Sequence, residues 1–471
     1  MSVWLRDRRD ITLDVVQAVA WQGANVEIAP EALERMDRCH ESFGALVADR
    51  VRADPEALIY GVTSAPGDGA ATALDQSGRA ERPTALWAPM SFGERLPDRV
   101  VRAILVARLA NFLGGHAAVR GQTAQAVAGM LDVRPLPAVP AQGNGGSGEI
   151  VALGSLFFDL SIELRLTAKE RIGLVNGSPC AAALVADIAL AGRQRIALTE
   201  SVLALVADVA GAPDEHFAPE LEPLWGDEHE TAALRSLRRL LAGSHRTQQR
   251  HQASVSLRIL PRVLGAVRRA QAEAERAASV SLASVTDNPV YLPPDQDRPP
   301  GAVYSTGGYH NAQAAPALDG IAFAYADLCQ LAQRLTDHLF QHPSTALLTS
   351  REWTLKPLHM VQTGWAEEAR ALAHPTLLSL GGFGQNDVPA LSFLAWRKAT
   401  AIGVCLEAAL AILAAIASQM LHDGERQPPT ELRSLIAQVR SVFPPVHEPR
   451  LVGRDCQALT EAFARRICEI P

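Results

Sequence analysis

The sequence predicts a mainly α-helical fold, in which a bundle of long helices follows a smaller N-terminal domain. Two segments keep apolar residues three or four positions apart over many turns, which is typical of buried helical seams. A third long helix is predicted over 392–420, and no comparable run of alternating strand residues is present. We place the N-terminal domain at residues 1–175 and the helix bundle at 176–471. The two seams are Leu257, Leu260, Leu264, Val267, Ala270, Ala274 and Ala277, and Leu318, Ile321, Tyr325, Leu328, Ala332, Leu335 and Leu339.

The composition is that of a globular protein with a small net charge. The 471 residues are 48% hydrophobic and 20% charged, and the formal net charge is −7. This balance does not favour a nucleic-acid or anionic-membrane partner. The six cysteines are scattered without a CxxC pattern and no signal peptide is recognisable, so we expect a cytoplasmic protein. The most apolar stretch, 408–417, is too short to span a bilayer and is expected to be a buried helix.

The remaining elements follow from local signals along the chain. Helix ends are indicated by capping residues, glycines and prolines, and turns by Asn-Gly and proline-containing pairs. Pro261 predicts a kink at the start of the first seam helix. The expected elements are short helices over 12–50, a small-residue loop over 59–69, a helix over 98–114, a helix over about 123–131, a turn over 175–179 that begins a long helical stretch, and a long loop over 292–304.

The stretch 142–149, Gln-Gly-Asn-Gly-Gly-Ser-Gly-Glu, must fold very tightly because it is so rich in glycine. The letters Gly143-x-Gly145-x-x-Gly148 match the dinucleotide fingerprint. That motif needs a preceding strand and a βαβ unit, and three prolines before the loop argue against such a strand. A nucleophile elbow needs Gly-x-Ser-x-Gly, and Glu149 stands where its second glycine belongs. An ordinary surface loop is a further interpretation.

Autocatalytic cyclisation of the backbone is the third functional interpretation of this loop. Where the chain bends sharply, the amide nitrogen of Gly148 can attack the carbonyl carbon of Gly146. Loss of water from the new ring, and then from Ser147, leaves an exocyclic methylene conjugated to the ring. Such a methylene is an electrophile, which no standard side chain supplies.

Several separated motifs, in this order, resemble those of the histidine/phenylalanine ammonia-lyase superfamily. The resemblance covers roughly residues 12–465, and Gly146-Ser147-Gly148 stands at the place of the internal Ala-Ser-Gly from which those enzymes form a methylidene-imidazolone (MIO) group. It implies an ammonia-lyase-like helix bundle, MIO formed from residues 146–148, an amino acid substrate, and a homotetramer whose active sites combine residues of different subunits. The motifs are Tyr60-Gly61-Val62-Thr63-Ser64, Val139-Pro140 through Glu149-Ile150, Lys169-Glu170 with Asn176-Gly177, Ser256-Leu257-Arg258, Thr286-Asp287-Asn288-Pro289, Gly307-Gly308, Ala371-Leu372-Ala373-His374-Pro375 and Gln385-Asn386-Asp387-Val388.

The resemblance also implies roles for single residues. Asn176 would hydrogen-bond the MIO ring oxygen and so draw electrons from the methylene. Arg258 would bind the substrate carboxylate with paired donors, and Tyr60 would be the base that removes the β-proton. The substrate amine would add to the methylene and leave as ammonia, giving an unsaturated acid. The catalytic candidates are Tyr60, Gly146, Ser147, Gly148 and Asn176, and the substrate-binding candidates are Arg258, His310, Gln252, Asp387 and Val255.

The sequence departs from the family pattern at several positions near these candidates. Gly146 replaces an alanine, which loosens the bend needed for cyclisation, and Glu149 replaces an aspartate with a longer arm. Val255 stands where the family has a catalytically important tyrosine, and valine neither donates nor accepts a proton. On a gapless alignment His310 replaces a pocket phenylalanine. It would supply the missing acid–base group, recognise an acidic or polar substrate, or be a surface histidine near a Gly-Gly turn.

Two further departures bear on the substrate, and one histidine pair bears on metal binding. Residues 87–89 lack the histidine with which histidine ammonia-lyases select substrate, and Pro66 replaces a phenylalanine. We therefore expect a substrate other than histidine. His338 and His342 lie four residues apart beside Asp337, a spacing that can hold a metal. Since no glutamate lies between them and no third ligand is evident, we favour a solvated helical face.

These observations predict an MIO-dependent ammonia-lyase without an external cofactor. Its substrate would be an L-α-amino acid, aromatic or atypical, and its product an α,β-unsaturated acid. One alternative is a 2,3-aminomutase, which re-adds the amine at the β-carbon, and another is the same fold with a different elimination or cyclisation. The last alternative is a degenerate homologue without MIO that binds a ligand or a partner subunit. Gly146, Val255 and His310 keep this alternative open.

Overall fold

The computed structural model describes residues 2–74, 89–248, 252–341, 343–379, 381–382 and 384–468. The fold is mainly α-helical, as the sequence predicts. The α-helices are Leu13–Val16, Pro30–Ala53, Asp98–Leu113, Gly121–Gly129, Ile150–Glu163, Ala168–Val175, Pro179–Val209, Leu221–Trp225, Glu228–Leu241, Val255–Arg258, Leu260–Ala283, Ala314–Gln341, Leu358–Leu372, Ser392–Asp423, Arg433–Val442 and Val452–Cys468.

The described strands form two small pairs. Ser2–Leu5 runs parallel to Asn25–Ile28, and Val290–Leu292 runs antiparallel to Ala302–Tyr304. The second pair overlaps the two ends of the predicted loop over 292–304, at residue 292 and at residues 302–304, so that prediction is wrong at both ends of the stretch. No strand directly precedes the glycine-rich loop in the described chain, which is consistent with rejecting the dinucleotide fingerprint there.

Both predicted seams form long helices. Leu257 of the first seam lies on the short helix Val255–Arg258, and the other residues lie on Leu260–Ala283. The break between the two helices, at Ile259, lies two residues before Pro261, and each seam residue except Ala270 is buried. The second lies on Ala314–Gln341 and is buried throughout. Residues 12–50 differ from the prediction, because one 24-residue helix, Pro30–Ala53, replaces a series of short ones.

Contacts divide the chain into two compact units. The first comprises Met1–Leu190, Glu275–Pro316 and Thr376–Arg397, and the second comprises Ala191–Ala274, Ala317–Pro375 and Lys398–Pro471. The first unit contains an apolar cluster around Phe43 and Tyr291, whose rings meet edge-on at 5.4 Å. The Tyr291 hydroxyl is also 2.7 Å from the hydroxyl of Ser42, so this aromatic residue ends in a hydrogen bond. The predicted domain boundary at residue 175 stays a prediction.

The second unit has a buried ion pair within its helices. Arg195 donates through Nε to Glu407 at 2.9 Å, and both side chains are almost inaccessible to solvent. The Arg195 guanidinium also lies over the Tyr325 ring, 5.6 Å from its centre. Burial raises the pKa of the Tyr325 hydroxyl, which the nearby Arg195 opposes.

Two helical stretches are long and apolar enough to cross a membrane by length and composition alone. They are Ala168–Val209 and Ser392–Asp423, and 100% and 83% of their most apolar windows are buried within the protein. Such burial is typical of core helices. The predicted buried helix over 408–417 is confirmed, because it lies inside the second stretch.

Candidate active site

The first compact unit contains a cavity of about 720 Å³ in which several loops meet. Four of the predicted catalytic residues line it, namely Tyr60, Gly146, Ser147 and Asn176. These residues are far apart in sequence, so the fold brings them together as the resemblance implies. The full set of described lining residues is Tyr60, Pro66, Gly67, Asp68, Ala70, Gly146, Ser147, Ile150, Val151, Asn176, Asn288, Ser305, Thr306, Gly307, Tyr309, Gln385 and Asn386.

The glycine-rich loop turns sharply just before the helix Ile150–Glu163. Gly143 and Gly148 both have φ of +72°, a left-handed conformation that glycine adopts without strain. The Tyr309 ring covers Gly148, because a Cβ added there would lie 3.4 Å from its Cδ2 atom. A Cβ added at Gly146 would meet no atom within 4 Å. The loop is therefore tightly turned at residue 148 and has free space beside residue 146.

A second segment holds the residues that would cyclise. The Ser147 hydroxyl donates to the backbone carbonyl of Gln385 at 2.7 Å and lies 3.3 Å from Oδ1 of Asn386. The Ala390 amide donates to the carbonyl oxygen of Gly146 at 2.9 Å. The side chain of one reacting residue and the backbone of another are thus oriented by the same short stretch of chain.

Glu149, which follows the triplet, is buried and anchors the end of the loop. Its two carboxylate oxygens accept the amides of Cys180 and Ala181 at 2.6 Å each, at the start of the helix Pro179–Val209. Burial raises the pKa of the Glu149 carboxyl to about 7, although these two amides and the positive charge of Arg108 oppose that shift. The carboxyl ties the loop to a helix N-terminus, where backbone amides favour negative charge.

Tyr60 lies on the opposite loop of the cavity. Residues 60–63 form a turn, in which the amides of Val62, Thr63 and Ser64 all donate to the Ile59 carbonyl. The Tyr60 hydroxyl oxygen accepts the amide of Gly67 at 3.0 Å. The Gly67 amide therefore fixes the position of the Tyr60 oxygen at the cavity.

Asn176 is held from below by a buried polar network. Its side-chain amide donates to the Asn288 carbonyl, and the Asn288 side-chain oxygen accepts the Thr306 amide at 2.9 Å. Next to it, Lys169 and Asp287 form an ion pair at 2.5 Å, and both side chains are at least 98% shielded from solvent. The hydrogen bond to Asn288 fixes the orientation of the Asn176 side chain, which lines the cavity.

Comparison with known proteins decides the family. The family model described as aromatic amino acid lyase matches residues 11–161 and 158–441. The chain belongs to the aromatic amino acid lyase family. It is therefore a carbon–nitrogen lyase, and the superfamily resemblance deduced from its motifs is confirmed. Members of this family generally depend on MIO.

Relatives of this aromatic amino acid lyase differ in the reactions they are named for. A histidine ammonia-lyase of Symbiobacterium thermophilum is 30% identical, and the match covers 96% of this chain and 94% of that protein. Ergothionase from Treponema denticola, an ergothioneine-degrading enzyme, has a TM-score of 0.87 at 17% identity and covers 100% of both chains. Tyrosine aminomutase from Streptomyces globisporus has a TM-score of 0.86 at 21% identity and covers 99% of this chain and 97% of that one. The two structures share the fold.

Three predicted substrate-binding residues of this lyase lie in the second compact unit. Arg258 ends the short helix Val255–Arg258 and donates through Nε to the Ala253 carbonyl at 3.1 Å. Val255 is 57% exposed, and Gln252 is exposed as well. They are not among the described residues that line the cavity of the first unit, and their roles stay predictions.

His310 and Asp387, the other two candidates, lie in the first unit beside the cavity wall. Nε2 of His310 is 3.4 Å from the Pro389 carbonyl, and the neighbouring Tyr309 lines the cavity instead. Asp387 is exposed and accepts the Gly381 amide through its backbone carbonyl at 2.7 Å. The preceding Asn386 lines the cavity. The roles of His310 and Asp387 stay predictions.

Sequence reasoning gave no site role to several residues of the wall, chiefly Asp68, Asn288, Thr306 and Tyr309. Asn288 lies in the Thr-Asp-Asn-Pro motif, and Thr306 and Tyr309 flank the Gly-Gly motif. Both motifs were recognised in the sequence, and they were the signal from which these three residues could have been found.

His342, Trp87 and Ala88 lie outside the described residues, so the histidine pair is untested. Elsewhere in the described chain, no group of three or more His, Cys, Asp or Glu side chains is placed to hold a metal ion.

Proposed function

We propose that this chain is an MIO-dependent ammonia-lyase acting on an L-α-amino acid other than histidine, aromatic or atypical, to give an α,β-unsaturated acid. The observation that carries the proposal is the cavity that joins Tyr60, Ser147 and Asn176. A proton acceptor, a residue triplet able to cyclise and an amide donor are the groups that ammonia elimination needs. The family membership supports the same reaction class.

The residues present fit the MIO group. The left-handed φ of Gly148 supplies the sharp bend, and the open space beside Gly146 leaves room for the backbone to contract. The Ser147 hydroxyl, which must leave, is oriented by the backbone of Gln385. The MIO group would supply an electrophilic methylidene carbon to the substrate amine. Residues 146–148 would carry it, and Asn176, which lines the same cavity, would hydrogen-bond its ring oxygen.

The other residues bind the substrate and move its proton. Acting as a base, the phenolate form of Tyr60 takes the β-proton on its oxygen, to which the Gly67 amide donates a hydrogen bond. Arg258 binds the carboxylate with paired donors. A cytoplasmic homotetramer with active sites shared between subunits would allow Arg258 to be supplied by a neighbouring subunit. This assembly belongs to the proposal.

The residues that line the cavity favour a substrate whose side chain carries a polar group over one whose side chain is purely hydrocarbon. Its described lining offers hydroxyl and amide groups from Asn288, Thr306, Tyr309 and Asn386, beside the apolar surface of Ile150 and its neighbours. Among those described lining residues Asp68 is the one carboxylate, and none is a lysine or arginine. An aromatic ring with a polar substituent, or a polar atypical side chain, matches this surface.

The intact mass of the purified protein tests the proposal, with Ser147→Ala as the control. We expect the native chain to lie two waters below its encoded mass and the Ser147→Ala chain to have its full mass. Ammonia release and product analysis over a panel of amino acids then separate a lyase from a mutase, because a mutase accumulates a β-amino acid. A native mass equal to the encoded value would overturn the MIO mechanism.

A further inference from the structure

The segment 385–390 contacts both residues that must react before MIO exists. The Ala390 amide donates to the Gly146 carbonyl oxygen at 2.9 Å. The Gln385 carbonyl and the Asn386 side-chain oxygen receive the Ser147 hydroxyl at 2.7 and 3.3 Å. Gly146 and Ser147 are the two positions from which oxygen is lost during cyclisation. The segment 385–390 therefore forms hydrogen bonds with both oxygen atoms that leave as water.

Hydrogen bonds with neighbouring residues constrain the backbone of segment 385–390. The Gly381 and Gly382 amides donate to the carbonyls of Asp387 and Asn386 at 2.7 and 2.6 Å. A Cβ at Gly381 would lie 2.2 Å from the Asn386 carbonyl oxygen, so this close approach requires glycine at 381. Asp68 accepts the Gln385 amide at 3.3 Å on the other side. The contacts to the loop therefore come from a constrained surface.

The bond changes show why the Gly146 contact matters. The Gly148 nitrogen forms a bond to the Gly146 carbonyl carbon, and the electron pair of the C=O π bond moves to the oxygen. That oxygen takes the proton from the Gly148 nitrogen and leaves as water with the proton of the Ser147 nitrogen, forming a C=N bond. The Ser147 Oγ then leaves as a second water with the proton of its Cα. No oxidant or reductant is needed.

We propose that segment 385–390 is the template for this ring closure, with the Ala390 amide as the donor that stabilises the charge developing on the Gly146 oxygen. The inference rests on the proposed function, since it concerns formation of the MIO group. Backbone amides aimed at a developing oxyanion are effective because they need no reorganisation during the reaction. The Gly146 oxygen is expelled, so this hydrogen bond exists only in the precursor and acts before the finished site exists.

The hydrogen bonds of the Ser147 hydroxyl affect the second loss of water, in which its Oγ leaves. The Gln385 carbonyl and the Asn386 amide oxygen fix the direction of the Cβ–Oγ bond, on which elimination from the ring depends. Asn386 contributes through its side chain, whereas Gln385 contributes through its backbone. The two residues can therefore be separated by substitution.

Replacing one backbone atom tests the role of Ala390 directly. Cell-free synthesis with a suppressor transfer RNA can place lactic acid at position 390, which turns the donating N–H into an ester oxygen. Alanine delivered by the same route is the control. We expect the control to reach the two-water mass deficit and the ester chain to cyclise about 100-fold more slowly, as when one oxyanion donor is lost. Thermal melting of both products verifies that they fold alike.

Each outcome of this experiment decides a different question. Equal rates of water loss in folded ester and control chains would overturn the template while leaving the proposed function intact. A control that never loses water would overturn the proposed function and the template with it. Ala390→Pro is a second way to remove the amide, and its folded fraction should also lose water more slowly than the native chain.

A side-chain pair tests the second step independently. Asn386→Ala should accumulate a species one water below the encoded mass, several-fold above its level in the native chain, because the ring closes but Ser147 is eliminated slowly. Gln385→Ala keeps the contacting carbonyl and should show no such species. An Asn386→Ala chain whose one-water species stays at the native level would contradict this part of the template.

Discussion

Gly177 and Gly146 lie on or next to two walls of the same cavity, but their surroundings differ. A Cβ at Gly177 would lie 2.8 Å from Nη2 of Arg108 and 2.8 Å from Oγ1 of Thr286, and the residue has φ of +95°. A Cβ at Gly146 would meet nothing within 4 Å. The wall that presents Asn176 is therefore closely packed, whereas the wall that would form MIO has space to change shape.

The two walls also differ in the contacts that hold them in place. The 175–178 turn is held by side chains, including the buried Lys169–Asp287 pair and the Thr286 hydroxyl that accepts the Ser178 amide at 3.0 Å. The 142–149 loop is held at Glu149 by two backbone amides, and at Gly146 and Ser147 by hydrogen bonds with segment 385–390. A rigid wall suits a group that must aim a hydrogen bond. A loop with free space beside Gly146 suits a backbone that must contract by forming a ring.

Breaking the ion pair of the rigid wall should have the largest effect. Lys169→Met leaves the fully buried Asp287 carboxylate without its partner, and removing one member of a buried pair costs about 3–5 kcal/mol. Urea unfolding at pH 7 should record that loss of unfolding free energy. Arg38→Met is the matched control, because Arg38 and Glu34 form an exposed pair at 3.6 Å worth about 0–1 kcal/mol. Similar losses of unfolding free energy in Lys169→Met and Arg38→Met would contradict the importance of the buried ion pair for the rigid wall.

Filling the space at Gly177 should have the next largest effect. Gly177→Ala combines a left-handed backbone, about 1–2 kcal/mol, with overpacking against Arg108 and Thr286, about 1–3 kcal/mol. A loss of about 3 kcal/mol is expected in the same unfolding experiment. Gly129→Ala serves as the control, since a Cβ there meets no atom within 4 Å and alanine favours the helix. A Gly177→Ala protein as stable as Gly129→Ala would remove the basis for calling this wall rigid.

The sequence predicted the long helices better than the walls of the cavity. Seams spaced by three and four residues carry a strong periodic signal, and they formed long buried helices. The three-residue strands Val290–Leu292 and Ala302–Tyr304 are too short for an alternating pattern, so residue 292 and residues 302–304 were predicted as the two ends of a loop. Pro30–Ala53 was broken into short helices because its continuity depends on burial of one face.

The site was predicted in part for similar reasons. Tyr60, Ser147 and Asn176 belong to local motifs, and the fold brings them to one cavity. Asn288 and Tyr309 reach it through side-chain directions that a sequence does not contain. The gapless alignment selected His310, whose role stays a prediction, but it gave no role to the adjacent Tyr309, which lines the cavity. A linear sequence gives the segment but not which side chain faces inward.

Glu149, the carboxyl that anchors the 142–149 loop, should make the unfolding free energy depend on pH. The pKa of Glu149 is raised to about 7 by burial, so the folded state holds its proton more tightly than the unfolded state between pH 4.5 and 7. Its contribution to unfolding free energy therefore falls as pH rises through that window, by up to about 3 kcal/mol, and is constant above it. Glu149→Gln should lack this slope in urea titrations from pH 4.5 to 8.

Glu170 is the matched control for that titration. Burial alone would raise its pKa, but hydrogen bonds from Arg120, Thr123 and Thr167 outweigh burial and lower the pKa to about 2. Its stabilising contribution is complete above pH 4.5 and is lost as pH falls toward 2. Glu170→Gln should therefore differ from the native protein by a constant amount between pH 5 and 8. A flat difference for Glu149→Gln as well would contradict the raised pKa.

Adding a methyl group to the open wall should have the smallest effect. Gly146→Ala meets no atom within 4 Å, and Gly146 does not have a positive φ, so alanine should stabilise the chain by about 0.4–1 kcal/mol by restricting the unfolded state. It also recreates the family's Ala-Ser-Gly, so the two-water mass deficit should be at least as complete as in the native protein. Gly148→Ala is the opposing control, because φ of +72° and the Tyr309 ring at 3.4 Å strain any side chain there. If Gly146→Ala lost stability or cyclised less than the native chain, the space beside residue 146 would not be what allows the loop to contract.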